Sequence, residues 1–249
     1  LKKIKKMKII EVFANRRSGH HFFMSWLVSN LSGEIDEKIK ELNKITWINN
    51  DICHYNDATY HAFFNEKQVM DEIEEIIEKR PKYFIINYEE SDMYNKLNKE
   101  GTSLFNQNPI KIVFLRDFLN TFASKWKVSE TDLKEFYFGF KNKQHIIENI
   151  KYWKIMAKNY LSNDSIGIKY EDLLTDNGIR EQFLLDTFEV NERFKPSIFN
   201  GTKSSFKTKN YNQRHKEIDF SNDFKNIINS DSELNYLIGK VDYKYNKLV

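Results

Sequence analysis

Apolar residues fall in short blocks along this chain, and the blocks are of two kinds. Lys8-Ile-Ile-Glu-Val-Phe-Ala14 reads as a short, mostly buried strand, and Phe22 to Leu31 as the helix that follows it. Tyr83 to Asn87 and Ile110 to Leu115 are two further buried strands, and Ser165 to Tyr170 is a fourth. Helical patterns separate them. A charged one covers Glu66 to Lys79 and stops at Pro81, another runs from Arg116-Asp117 through Lys127, and two more cover Thr131 to Phe140 and Gln144 to Leu161. The stretch rich in Asn and aromatics up to about Asn65 has no clear element. Strands joined through helices of ten residues or more need crossover connections, which make the strands parallel and cover both faces of the sheet. The predicted fold is therefore three-layer α/β/α with a central parallel sheet. In such sheets ligands bind at the carboxyl ends of the strands. Here those ends are Ala14, Asn87, Leu115 and Tyr170, so chemistry is expected just after them.

Composition narrows the picture. The chain has 249 residues, three prolines, eight glycines and 15% aromatics. It has enough apolar surface to order itself, little linker material and no repeat, so a single domain over 1–249 is expected. Cys53 is the single cysteine, which excludes a disulfide framework and a cysteine-based zinc site and suits a reduced, cytoplasmic protein. The apolar run after basic Leu1 to Lys8 is too short for a signal sequence or membrane anchor, so no membrane partner is expected. A net charge of +3 is too even for the sustained basic face that nucleic acid demands. Lysines far outnumber arginines, which makes each arginine the better pointer, because its planar fork grips anions in fixed geometry.

Three arginines sit at predicted strand ends. Asn15-Arg-Arg-Ser-Gly-His-His21 lies between a strand and a helix, an arrangement that presents backbone N–H groups and a helix amino end to an anion. An ordinary turn with solvated Arg16 and Arg17 fits the same residues. The nucleotide-binding loop ending in Gly-Lys-[Ser/Thr] is not there, so a magnesium-assisted NTPase is disfavoured. Arg116 ends the third strand, and Ser124 follows eight residues later on the next helix, where both could face one anion.

Together these segments resemble the sulfotransferase family that uses 3′-phosphoadenosine 5′-phosphosulfate (PAPS). Arg16-Arg-Ser-Gly-His-His21 is similar to that family's 5′-phosphosulfate loop, a Lys or Arg followed by Ser-Gly-Thr-Thr, and Arg116 with Ser124 is similar to its 3′-phosphate motif. Tyr170-Glu-Asp-Leu-Leu174 resembles a Tyr-Glu-Asp-Leu segment after a later strand, with Trp153 in the preceding helix. Gly201 to Phe206 and the basic stretch Lys207 to Lys216 resemble the C-terminal loop that closes over the nucleotide. The likeness runs in order from about Met7 to Arg214.

The resemblance implies a P-loop-like strand-loop-helix and transfer of a sulfuryl group to a hydroxyl or amine of a small-molecule or glycan acceptor, with no metal. It implies that Arg17 holds the phosphosulfate and offsets charge on the bridging oxygen. Arg16, Ser18, Gly19, His20, His21 and Phe22 would form the loop, and Arg116 and Ser124 would take the 3′-phosphate. Tyr170 would approach the nucleotide, and Lys207 or Lys209 would cover it. His20-His21 departs from the usual Thr-Thr and removes two hydroxyl donors. The acceptor's base falls just past the second strand, at Glu89 or next Glu90, where the family has a histidine or glutamate; two solvated loop glutamates are the plainer reading.

Other residues read as structural. Glu72, Glu74, Glu75 and Glu78 form a solvated helix face, Phe136, Tyr137, Phe138 and Phe140 pack a core or line an apolar acceptor pocket, and His54 and His61 are surface or core histidines or lie on a lid. Two rival functions stay open: a kinase-like phosphotransferase, which needs a magnesium site, and a non-catalytic homologue that binds nucleotide or an anionic glycan.

Overall fold

The computed structural model describes residues 7–15, 18–33, 46–56, 74–76, 78–89, 108–131, 143–175, 179–190 and 211–241. Six strands form one sheet: β1 (Lys8–Ala14), β2 (Thr46–Asn49), β3 (Ile52–Asn56), β4 (Tyr83–Glu89), β5 (Ile110–Leu115) and β6 (Ile166–Lys169). Their order is β2-β3-β4-β1-β5-β6. The pairs β3–β4, β4–β1, β1–β5 and β5–β6 are parallel. The edge strand β2 runs antiparallel to β3, so the sheet is mixed, mostly parallel rather than wholly so.

The hairpin β2–β3 comes from the stretch that had no clear element. Its strands are only four and five residues long. The turn between them is written in polar residues: the Asp51 N–H donates to Asn49 Oδ1 at 2.9 Å, an Asx turn. His54 interrupts the apolar block of β3, which hides the strand from a pattern search.

Helices follow the strands. They are α1 (His20–Ser32), α2 (Phe118–Thr131), α3 (Lys143–Leu161), α4 (Tyr170–Thr175), α5 (Ile179–Thr187), a 3-10 turn (Tyr211–Glu217), α6 (Asn222–Ser230) and α7 (Ser232–Lys240). The expected helix over Thr131 to Phe140 lies beyond residue 131 and outside the described residues. Tyr170 begins α4 rather than ending a strand.

Alternation along each strand divides the core. Ile10, Val12, Ile85, Ile112 and Phe114 join one apolar cluster with Phe23, Met24 and Leu27 of α1 and Leu184 of α5. Ile9, Phe13, Phe84, Ile86, Val113 and Leu115 join a second with Phe122 of α2, Trp153 of α3, Phe224 of α6 and Leu234 of α7. A strand has period two, so the two clusters lie on opposite faces of the sheet. Phe23 stacks on Phe114 at 4.7 Å between ring centres; burying each such ring contributes about 1.5–3 kcal/mol. Helix α1 is buried on nearly every side from Phe23 to Asn30, which explains its weakly polarised sequence.

The winding decides where a ligand can go. From β1 the chain moves out to the edge strand β2, returns through β3 to β4 beside β1, then crosses to β5 and β6 on the other side. The carboxyl ends of β4, β1 and β5 are therefore neighbours at the point where the direction of winding reverses.

Candidate functional site

At the end of β1, the Ser18 N–H donates to the Asn15 carbonyl at 3.1 Å, and Gly19 turns the chain into α1. Gly19 has φ +87°, a left-handed backbone that glycine alone adopts without penalty. Space demands it as well: a Cβ at Gly19 would stand 2.5 Å from Cε2 of Tyr170. The amino end of α1 is thus brought to the carboxyl edge of the sheet. Ser18 is buried there, with no hydrogen-bond partner for its Oγ among the described residues. His20 is buried and His21 exposed, their ring centres 3.9 Å apart, and Phe22 is half-buried against Tyr170.

At the end of β5, Arg116 is buried with its guanidinium carbon 4.7 Å from the centre of the Tyr170 ring. A cation over an aromatic face is attracted by the ring's quadrupole. The peptide after Arg116 is held at both ends. Trp153 Nε1–H donates to the Arg116 carbonyl at 3.0 Å, and the Asp117 N–H donates to Glu171 Oε1 at 3.1 Å. The Asp117 carboxyl then caps α2, accepting from the Asn120 N–H at 2.6 Å. Burial first and the Glu171 charge second push Asp117 up to about 8; the Asn120 bonds and Arg116 pull the other way. Ser124 is buried on α2.

The C-terminal 3-10 turn packs on α2, and the His215 N–H donates to Asn120 Oδ1 at 3.2 Å. This brings Arg214, also buried, to the helix that starts beside Arg116. Lys207 and Lys209, the cations expected to cover the site, lie outside the described residues. The preference for arginine over lysine at anion sites would have singled out Arg214 within the same basic stretch.

On the other flank of β1, the sequence reading missed a polar patch. Ile52 and Ile85 belong to the α1-side cluster, so His54 and Asn87, two residues on along β3 and β4, face α1 too. Both are buried. Asn87 Oδ1 and both ring nitrogens of His54 have no hydrogen-bond partner among the described residues. Burial, then the charges His21 and His20 would carry, lower the His54 pKa to about 3, so it is a neutral imidazole. His54 is a core histidine under α1, not a group on a lid.

Arg16, Arg17, Glu90 and His61 lie outside the described residues. The backbone of Glu89 ends β4 opposite Ala14 of β1. Glu74, Glu75 and Glu78 are exposed, with Glu75 paired to Lys79, as a solvated face requires. Cys53 is buried, and burial pushes its thiol up to about 12. Among the described residues no group of three or more His, Cys, Asp or Glu is arranged to hold a metal ion, and no helix is long and apolar enough to cross a membrane.

No family model matches this chain, and no curated protein is significantly similar to it.

Proposed function

We propose that the protein is a PAPS-dependent sulfotransferase, a three-layer α/β/α domain whose β1-loop-α1 segment is P-loop-like and binds phosphate. The observation that carries the reading is the pairing of two anion-fitting groups at adjacent strand ends, the Gly19 turn into α1 and the buried Arg116, packed against one ring, Tyr170. A donor with anionic groups at two ends suits that spacing of sites. The buried Ser18 hydroxyl, without a hydrogen-bond partner among the described residues, and the Gly19 cradle, which a Cβ would fill, are further marks of a place shaped for a ligand. The two apolar clusters on opposite faces of the sheet support the layered fold.

When bound, the donor supplies the sulfuryl group, whose bond to the bridging phosphate oxygen breaks as a bond to the acceptor oxygen or nitrogen forms. Arg17 and the amino end of α1 offset the negative charge left on that oxygen. Ser18 and the N–H groups of the loop orient the sulfuryl oxygens, with Arg16, His20, His21 and Phe22 completing the loop. Arg116, Ser124 and Arg214 hold the 3′-phosphate; Tyr170 supports Arg116, and Lys207 or Lys209 covers the nucleotide. Glu89, or Glu90 beside it, takes the acceptor's proton.

Thermal unfolding with adenosine 3′,5′-bisphosphate tests the donor site. At a hundred times its dissociation constant the ligand adds about 2.7 kcal/mol of stability. Arg116→Ala should abolish the shift, and ATP with magnesium should do much less than the bisphosphate. No shift in the wild type would end the reading. With labelled donor and a panel of phenols, alcohols and glycans, Glu89→Gln should lose at least about tenfold in turnover. Nucleotide binding without transfer to any acceptor would favour the second reading, a non-catalytic binder, for which the replacement of Thr-Thr by His20-His21 speaks.

A further inference from the structure

Tyr170 is built into both halves of the candidate site. One edge of its ring fills the space a side chain at Gly19 would need, with Cε2 and Cδ2 at 2.5 and 2.7 Å from that Cβ position. Its face lies under the Arg116 guanidinium at 4.7 Å. Phe22, three residues past Gly19, meets the ring edge-on at 6.1 Å, and Phe114, two residues before Arg116, does so at 6.2 Å. The next residue, Glu171, accepts from the Asp117 N–H. One helical step therefore touches the loop after β1, the side chain that ends β5 and the backbone that follows it. The ring is rigid and nearly fully buried, so it cannot shift against one neighbour without disturbing the other.

We infer that Tyr170 is a positioning residue that ties the two anion subsites together, so that an anion held by Arg116 tightens binding at the Gly19 loop, and the reverse. An anion on the N–H edge of Arg116 fixes the guanidinium plane over the ring. The fixed ring in turn holds the Gly19 turn and the amino end of α1 in the shape that receives the other anion. By linkage the coupling is the same in both directions.

This rests on the proposed donor site, and the experiment separates the two. The probe is adenosine 5′-monophosphate, which has no group for Arg116 to bind, measured by calorimetry beside adenosine 3′,5′-bisphosphate. With coupling through the ring, Arg116→Ala weakens the 5′-monophosphate by about fivefold or more, within the usual range for linked sites. Arg116→Lys keeps the charge but loses the planar fork, and should weaken it to a similar degree. Tyr170→Phe retains the ring, so adding Arg116→Ala to it should still weaken the 5′-monophosphate. In Tyr170→Leu the 5′-monophosphate binds more weakly, and adding Arg116→Ala has no further effect. Should the leucine variant not fold, the Arg116→Lys and Tyr170→Phe measurements still decide. If wild type binds both nucleotides but neither Arg116 variant alters the 5′-monophosphate affinity, the subsites are independent and the inference is overturned while the donor site stands. If wild type binds neither nucleotide, the donor site fails and the inference goes with it.

Discussion

The two flanks of β1 bury polar groups in different surroundings. On the β5 side, other parts of the chain meet several polar groups: Arg116 lies over Tyr170, its carbonyl accepts from Trp153, the Asp117 N–H donates to Glu171 and Asn120 accepts from His215. On the β4–β3 side, Asn87 and His54 are as deeply buried, yet Asn87 Oδ1 and both His54 nitrogens lack partners among the described residues. The first side is preassembled, which spares a ligand the reorganisation it would otherwise have to drive. On the second, Asn87 Oδ1 and the His54 nitrogens carry a desolvation cost that no hydrogen bond from the described residues offsets.

Gly19 sits where the flanks meet, and its replacement should have the largest effect. Gly19→Ala combines a positive φ with a Cβ pressed on an aromatic ring, and should lower stability by about 2–4 kcal/mol. Chemical denaturation measures it, and a loss below about 1 kcal/mol would mean that the ring and the turn are not in register. Trp153→Phe tests the preassembled flank. It keeps an aromatic ring but removes the donor to the Arg116 carbonyl, and should lose about 1–3 kcal/mol by leaving a buried acceptor unmet and a small cavity beside it.

His54→Leu tests the other flank and should have the opposite sign. Exchanging an imidazole that has no hydrogen-bond partner among the described residues for an apolar side chain of similar size should raise stability by about 1 kcal/mol. A loss of that size instead would show that His54 is satisfied in the folded protein, and the contrast between the flanks would vanish.

The pH dependence of the melting temperature is the finest test. Asp117 rises from 3.8 to about 8 on folding, so its contribution is whole below about pH 4 and declines as pH rises to about 8. His54 falls from 6.5 to about 3, so its contribution is whole above about pH 6.5 and is lost as pH falls toward 3. Between about 4 and 6.5 the two slopes oppose each other. Asp117→Asn should flatten the decline from about 6.5 to 8 while keeping the acid limb, and His54→Leu should do the reverse. Both limbs surviving in both variants would assign the profile to other groups.

Much of this was legible in local pattern. The bounds of β1 and β5 follow from apolar runs closed by polar residues, and the loop after β1 and the exit of β5 stood out because arginine is scarce in the chain. The hairpin β2–β3 was not legible, since its strands are short and one carries a buried histidine. Arg214 was passed over in favour of nearby lysines that lie outside the described residues.

What the sequence determined by itself is the alternation of strand and helix and the residue types at the strand ends, because both are properties of a few consecutive positions. Only the tertiary structure decided that Tyr170 lies between Gly19 and Arg116, that Glu171 holds the Asp117 N–H and that His54 is sealed under α1. Those contacts join residues about thirty to one hundred and fifty positions apart. They come from strand order and from which face each residue takes, and neither is a property of any single segment.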